Sequence, residues 1–194
     1  MTMSMSEPEP AKPVILMLCT GNAARSVMAE VLLESMRDDI VVASAGTLAV
    51  EGQPLSMRTR HALERIEMPT PFHHRSRELT TSMCASSDLI VAMAREHVRY
   101  VRRYYPDAAP KIATLGWLAE ELPLGSGSEP LSDRVAGMHL DGVDLDMQPE
   151  VADPADAVIP LGIDGIDRLA AERQVYVDCA LGIRDLTRKL ESRL

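Results

Sequence analysis

The chain is poor in cysteine, in aromatic residues and in long apolar runs. Its 194 residues include three cysteines, and only 3% of the residues are aromatic. Cys19, Cys84 and Cys179 lie far apart and are odd in number, so neither a disulfide framework nor a cysteine-based zinc site is expected. No apolar run reaches the roughly 18 residues that a membrane-spanning helix requires. We therefore expect a cytoplasmic protein with no membrane partner.

Positive charge is missing from one part of the chain. The formal net charge is -9, which argues against nucleic acid and anionic membrane as partners. Residues 120–156, called the acidic segment below, contain ten acids and one base, Arg134, and so carry the whole imbalance. Glycine, proline and aspartate recur along this segment with weak periodicity, so we predict a long excursion over the protein surface.

The domain organisation is expected to be simple. Residues 1–12 are polar and acidic and lack the basic start and apolar stretch of a signal peptide, so a disordered tail is predicted. Residues 13–194 are long enough for one domain with a substantial core, from which the acidic segment projects. The sequence leaves the oligomeric state open.

Short apolar runs alternate with segments of helical spacing along this domain. The pattern predicts four strands, at Val14–Leu18, Ile40–Ala45, Asp88–Met93 and Lys111–Leu115. It predicts helices at 26–36, 56–67 and 95–105, a short one ending at 121, and a long one over 158–194. Strands that alternate with helices indicate an α/β fold, a doubly wound parallel sheet with helices on both faces.

The junction between the first strand and the first helix carries the clearest chemical signal. It reads Cys19-Thr20-Gly21-Asn22-Ala23-Ala24-Arg25-Ser26. In an open parallel sheet, ligands bind where strands end and helices begin. Backbone N–H groups of such a loop can surround an anion, and the helix N-terminus adds positive potential. Gly21 and Asn22 tolerate the left-handed backbone that the loop requires.

Three side chains of this junction suit nucleophilic attack on a phosphoryl group. The field that binds an oxyanion also stabilises a thiolate, so Cys19 is the candidate nucleophile. Arg25 can grip two anionic oxygens with its planar guanidinium. Ser26 can donate a hydrogen bond to the sulfur.

Phosphoester cleavage also needs a proton for the leaving oxygen, which a nearby carboxylic acid can supply. Asp153 belongs to the only Asp-Pro pair of the chain, and Pro154 stiffens the backbone beside it. Asp153 is therefore the first candidate for the general acid. Asp156 and Asp146 remain alternatives.

At these residues the sequence resembles the low-molecular-weight protein tyrosine phosphatases. The resemblance rests on LCTGNAARSVMAE around the loop, SAGT at 44–47, HRSREL at 74–79, SDLIVAM followed by His97, and Asp153-Pro154. It implies a flavodoxin-like four-stranded sheet and a metal-free, cofactor-free phosphomonoesterase that forms a phosphocysteine on Cys19. It further implies that residues 20–26 bind the phosphoryl group, and that Ser44 and His74 support the loop.

The sequence departs from the family where the substrate would lie. Ala24 replaces a frequent second cysteine, and Ala23 stands where bulkier residues are common. Ala155 and Asp156 follow the Asp-Pro pair in place of aromatic residues. The substrate is therefore expected to be a phosphorylated protein or a small phosphomonoester, with phosphoarginine as an alternative to phosphotyrosine. Arsenate reduction with an external thiol and a non-catalytic phosphate-binding module are further alternatives.

Two other features have competing interpretations. Cys84 and Cys179 are interpreted as ordinary buried or half-buried thiols. The arginines of the predicted helix 95–105 are interpreted as a solvated face, and docking of this face to the acidic segment is the alternative.

Overall fold

The computed structural model describes residues 11–125, 129–160 and 162–194. Its four strands are β1 (Val14–Cys19), β2 (Val41–Gly46), β3 (Leu89–Ala92) and β4 (Ile112–Thr114). They pair in parallel in the order β2-β1-β3-β4. This arrangement confirms the predicted doubly wound, flavodoxin-like sheet and places β1, which leads into the candidate loop, at an interior position.

Seven α-helices accompany the strands in the described part of the chain. They are α1 (Arg25–Met36), α2 (Met57–Arg65), α3 (Thr81–Ser86), α4 (Arg95–Tyr104), α5 (Leu115–Glu121), α6 (Leu131–Gly137) and α7 (Gly165–Glu191). None of the helices in the described residues is both long enough and apolar enough to cross a membrane. Of the tail predicted for residues 1–12, positions 1–10 lie outside the described residues.

The sheet is buried on both faces, which explains the continuous apolar run of β1. Alternate side chains of a strand point to opposite faces. Ile15 and Met17 pack in a core formed with α1, α2, α5 and α7. Leu16 and Leu18 pack in a second core, with α3 and α4.

The acidic segment was predicted as a long excursion over the surface, and most of its described residues are exposed. It also contains α6 and three 3₁₀ turns, at Leu140–Gly142, Leu145–Met147 and Pro154–Asp156. Leu131, Val135, Leu140 and Val151 are buried against the domain. These elements were not predicted because a few apolar side chains can anchor short turns, whereas periodicity is visible only over longer elements.

The basic helix α4 docks on this segment. The backbone N–H of Arg95 donates to a Glu150 carboxylate oxygen over 2.7 Å, and Arg95 Nε donates to the Gln148 carbonyl over 2.7 Å. Arg102 donates to the carbonyls of Leu140 and Val143. The docking alternative therefore describes these two arginines better than a solvated face does.

The long C-terminal helix begins later than predicted. The apolar spacing suggested a helix from Val158, but α7 starts at Gly165. Pro160 has no N–H to give to a helix, and Gly162 adopts a φ of +97°. Residues 158–160 and 162–164 accordingly form a non-helical connection between the Asp153 turn and α7.

Candidate active site

The loop between β1 and α1 is held in an unusual backbone conformation. Asn22 is buried and has a φ of +49°, a left-handed geometry that asparagine tolerates better than most residues. The backbone N–H groups of Thr47 and Leu48 donate to the carbonyls of Cys19 and Thr20 over 2.9 and 3.0 Å. The end of β2 thus anchors the start of the loop.

Gly46 makes this close approach possible. A Cβ atom at Gly46 would lie 2.5 Å from the Thr20 carbonyl oxygen and 2.9 Å from the Asn22 nitrogen. Both are backbone atoms that cannot move aside without breaking the loop. The glycine in the SAGT motif is therefore required by packing against the loop.

Cys19 lies at the base of the loop, at the N-terminal end of α1. Its side chain is buried, and its Sγ is 3.0 Å from Ser26 Oγ. Ser26 Oγ also accepts a hydrogen bond from Asn22 Nδ2 over 3.2 Å. That bond leaves the Ser26 hydroxyl proton free to point at the sulfur, as the sequence predicted.

Asn22 is the hub of the loop. Its Nδ2 donates to Ser44 Oγ over 2.8 Å, and its Oδ1 accepts from the backbone N–H of Arg77 over 3.0 Å. Its carbonyl oxygen accepts from His74 Nε2 and from Ser76 Oγ, each over 2.8 Å. Both predicted supporting residues, Ser44 and His74, therefore contact the loop through the same residue.

The protonation of His74 follows from this contact. A carbonyl oxygen only accepts, so Nε2 must carry the proton. Burial lowers the pKa of His74, and the nearby Arg77 and Arg75 lower it further, while the Asn22 hydrogen bond acts in the opposite direction. The neutral imidazole is sufficient for this support.

A half-buried carboxylate behind Ser44 was not singled out from the sequence. Ser44 Oγ donates to Glu30 over 2.5 Å, and Arg77 Nη2 lies 3.7 Å from the same carboxylate. Burial raises the pKa of Glu30, with the Ser44 hydrogen bond and the Arg77 charge opposing that rise. Glu30 follows Ser26 by one helical turn, and that spacing was the available signal.

His97 of α4 supports the start of the loop from a second side. Its Nδ1 accepts the backbone N–H of Ala94 over 3.0 Å, which leaves the proton on Nε2. Nε2 lies 3.0 Å from Thr20 Oγ1 and donates to it. Burial, followed by the nearby Arg25 charge, lowers the pKa of His97 to about 3, so the ring is neutral at physiological pH. The sequence placed His97 only within a resembling motif.

Arg25 points from α1 toward the Asp-Pro turn. Its guanidinium is buried, and Nη1 donates to the Val151 carbonyl over 3.1 Å. Nη2 forms an ion pair with Asp153. The second Asp153 oxygen accepts the backbone N–H of Ala155 over 2.9 Å, which caps the turn Pro154–Asp156.

Of the three candidate acids, Asp153 is the one in contact with Arg25. Asp146 instead lies 3.7 Å from Arg95 on the outer side of α4. Asp156 is exposed at the end of the Asp-Pro turn. The structure thus brings Cys19, Arg25 and Asp153 to the same end of β1.

The flanks of this site are formed by small and aliphatic residues. Leu48 and Val50, which follow β2, are largely exposed. Residues 47–50 and 155–158 contain no aromatic side chain. Ala23 and Ala24 are half-buried in the loop itself. An aromatic ring in a substrate would find no ring to stack on in these two segments.

The two other cysteines differ in their surroundings. Cys84 is buried in the core beside α4, and burial raises its pKa to about 11. Cys179 of α7 is half-buried, 3.8 Å from the Ala152 carbonyl, and burial raises its pKa to about 12. Both therefore remain protonated at neutral pH, in agreement with their interpretation as ordinary thiols.

With this geometry described, the chain can be compared with known proteins. The family model described as low molecular weight phosphotyrosine protein phosphatase matches residues 14–122. The chain is 34% identical over 106 residues to a protein-arginine-phosphatase of Bacillus subtilis, which covers 52% of this chain and 69% of that protein. It is 29% identical over 110 residues to the low molecular weight protein-tyrosine-phosphatase Ptp of Acinetobacter johnsonii, covering 56% and 77%.

Solved structures extend the likeness over nearly the whole chain. A low molecular weight protein tyrosine phosphatase from T. tengcongensis superposes with a TM-score of 0.66 at 26% identity, covering 94% of this chain and 100% of that one. The YwlE arginine phosphatase from Geobacillus stearothermophilus gives a TM-score of 0.66 at 23% identity, covering 92% and 90%. The second likeness concerns the fold alone.

Proposed function

Because the chain belongs to the low molecular weight phosphotyrosine protein phosphatase family, we propose that it hydrolyses phosphomonoesters, or the P–N bond of phosphoarginine, through a covalent phosphocysteine on Cys19. The chain is a cysteine-dependent phosphatase. The observation that carries the assignment of roles is the meeting of Cys19, Arg25 and Asp153 at the end of β1.

In the first step, the Cys19 thiolate attacks phosphorus and the bond to the leaving group breaks. The N–H groups of residues 20–26 and the Arg25 guanidinium stabilise the negative charge on the equatorial oxygens. Asp153, as the carboxylic acid, transfers its proton to the leaving oxygen or nitrogen. The products are phosphocysteine and the dephosphorylated residue.

In the second step, the Asp153 carboxylate takes a proton from water, and the resulting hydroxide attacks phosphorus. The S–P bond breaks, phosphate leaves, and the thiolate of Cys19 is restored with the help of Ser26. Asp153 ends as the carboxylic acid, ready for another cycle. One acidic group therefore serves both half-reactions.

Arg25 has two tasks in this scheme, and they compete. Its guanidinium pairs with Asp153 when no phosphoryl group is bound. An incoming phosphoryl group must take over part of that guanidinium, which frees Asp153 to hold the proton for the leaving group. The Val151 carbonyl keeps Nη1 in place throughout.

We further propose that the substrate is a phosphorylated protein, as the names of the relatives suggest for those proteins. The absence of aromatic residues from 47–50 and 155–158 favours phosphoarginine over phosphotyrosine, since a phenyl ring gains least from aliphatic flanks. The 34% sequence identity to the Bacillus subtilis protein-arginine-phosphatase also supports phosphoarginine as the substrate.

The test compares Cys19→Ser with the parent enzyme on p-nitrophenyl phosphate, phosphotyrosine peptides and phosphoarginine peptides. The variant is expected to lose at least about 10⁴-fold in kcat, because the nucleophile is removed. It should still bind inorganic phosphate, because the loop and Arg25 remain. Full activity of Cys19→Ser would contradict the mechanism. A higher kcat/KM of the parent enzyme for phosphotyrosine peptides than for phosphoarginine peptides would contradict the substrate preference.

A further inference from the structure

A cavity of about 720 Å³ lies beside Asp153, between residues 150–157 and one side of α7. We call it the acidic groove. The α7 residues that line it are spaced three or four positions apart, apart from the adjacent pair Asp178 and Cys179, and so form a stripe along the helix: Val175, Asp178, Cys179, Gly182 and Leu186. This stripe is about 17 Å long, given the rise of 1.5 Å per helical residue.

The floor of the acidic groove is apolar. Six residues provide most of it: Val151, Pro154, Ala157, Val175, Cys179 and Leu186. At Gly182 a Cβ atom would meet no heavy atom within 4 Å, so the groove stays open above the helix. An aliphatic chain could lie along this floor and lose contact with water.

The rim of the groove carries negative charge. Glu150, Asp153, Asp156 and Asp178 line the cavity, and no basic side chain lines it within the described residues. Two of these carboxylates are already occupied, since Asp153 pairs with Arg25 and Glu150 accepts from the Arg95 backbone. Asp178 accepts a hydrogen bond from the neutral amide of Gln174 over 2.8 Å. The charges of Asp156 and Asp178 therefore face solvent without a basic partner in the described residues.

An apolar floor below a negative rim fits one kind of side chain. Lysine and arginine combine a long apolar stem with a cationic end, and they bury the stem while the charge stays in water. Phosphate groups and acidic residues would be repelled by the same rim. A purely apolar side chain would fit the floor but would form no ion pair with the carboxylates of the rim.

The groove also adjoins the proposed reaction centre. Asp153 belongs to its wall and at the same time contacts Arg25. A residue seated in the groove would therefore lie next to a phosphoryl group held by the loop. We propose that the acidic groove binds a lysine or arginine side chain of the phosphorylated protein, beside the phosphorylated residue. This inference rests on the phosphatase function proposed above and adds a sequence preference to it.

The test uses phosphotyrosine and phosphoarginine peptides made in pairs, with either lysine or norleucine on both sides of the phosphorylated residue. Norleucine keeps the apolar stem and removes the charge. The full-length enzyme is expected to prefer lysine by about fivefold in kcat/KM, as one favourable charge contact near the surface allows. The lysine peptides should differ from the norleucine peptides mainly by a lower KM, and this difference should decrease at high salt.

Two variants localise the preference. Asp178→Asn should reduce it to about twofold or less, because one rim charge is lost. Gly182→Leu should block the groove, remove the preference and still fold, since leucine favours a helix and finds open space there. Asp185→Asn, an exposed acid of α7 outside the groove, is the matched control. All three should hydrolyse p-nitrophenyl phosphate at the parent rate.

The outcomes separate this inference from the proposed function. Equal kcat/KM for the lysine and norleucine peptides, or a lysine preference that survives both groove variants, would overturn the acidic groove as a binding site. Loss of p-nitrophenyl phosphate hydrolysis in the parent would count against the phosphatase mechanism instead. Binding of the same peptides to Cys19→Ser, measured by calorimetry, tests the groove without any turnover, and equal affinities there would also overturn it.

Discussion

The two sides of the site differ in how firmly they are built. The loop at residues 19–26 is tied to β2, to the segment 74–77 and to α4 by hydrogen bonds that converge on Asn22 and Thr20. The Asp153 segment is itself anchored, for example by the Val151 backbone N–H, which donates to the Met93 carbonyl over 2.8 Å, but it is joined to the loop by one ion pair and one carbonyl contact, both made by Arg25. The loop proposed to bind phosphate is thus fixed by many contacts, whereas the Asp153 carboxylate contacts only Arg25 and the Ala155 N–H of its own turn.

The physical reason lies in what each side must do. Oxyanion stabilisation requires donors that are already oriented before the substrate arrives, because reorienting them during the reaction costs free energy. The proton donor must instead exchange its partner between Arg25, the leaving group and water. A carboxylate with few contacts of its own can make that exchange. The following experiments test this difference between the loop and the Asp153 carboxylate.

The largest expected effect is at the Asp153 carboxylate. Asp153→Ala should lower kcat for phenyl phosphate by about 10³-fold, because its leaving group needs a proton, and should affect p-nitrophenyl phosphate much less. The same variant should bind inorganic phosphate about fivefold tighter, because Arg25 loses its competing carboxylate. Steady-state kinetics and phosphate inhibition measure both quantities. Asp146→Ala is the control, and equal losses on the two substrates would assign the acid to another residue.

An effect of intermediate size is expected at the hub of the loop. Asn22→Ala should lower kcat/KM about 100-fold and destabilise the fold by about 3 kcal/mol, because buried donors and acceptors lose their partners and alanine is strained at positive φ. Denaturant unfolding and kinetics measure these losses. Gly21→Ala is the stability control in the same loop, since its added Cβ meets no heavy atom within 4 Å. Equal destabilisation by both variants would contradict the special role of Asn22.

The smallest effect is expected in the pH dependence of stability. The folded pKa of His97 is lowered to about 3, so between that pH and about 6.5 the unfolded state binds more protons than the folded state. The contribution of His97 is therefore present above about pH 6.5 and is lost as the pH falls, by up to about tenfold in the folding constant per pH unit. His97→Gln should show a flatter decline of the unfolding free energy between pH 6.5 and 4.

If the unfolding free energies of the parent and of His97→Gln declined equally between pH 6.5 and 4, His97 would already become protonated in the folded state over that range, which would contradict the prediction. His61→Gln on α2 provides a second histidine replacement for comparison. An equally flat decline in His61→Gln would show that the effect is not specific to His97.

Some parts of the molecule were predictable because their signals are local. The run Val14–Leu18 followed by Cys19 predicts a buried strand that delivers a loop, and β1 spans Val14–Cys19. The helical spacing of apolar residues predicted a helix at 26–36, and α1 spans Arg25–Met36. Ser44 and His74 could be named only through the family resemblance, because they contact Asn22 from positions 22 and 52 residues further along the chain.

Other parts required the fold. The short elements of the acidic segment were not predicted because their anchors, such as Leu131 and Gln148, are single residues without a period. Gln148 is fully buried, and its Oε1 accepts the backbone N–H of Thr114 at the end of β4. Such a contact depends on where β4 ends in space, and no pattern in the segment reveals it.

The sequence alone determined the parallel sheet, the place of the candidate phosphate loop and the family, because strand periodicity, loop residues and their order along the chain are local properties. It also located the excess of negative charge. Only the tertiary structure decided which aspartate meets Arg25, which side of α7 faces the acidic segment, and that Glu30 and His97 support the loop. These are contacts between residues distant in sequence, and they form only when the sheet and helices pack around their common cores.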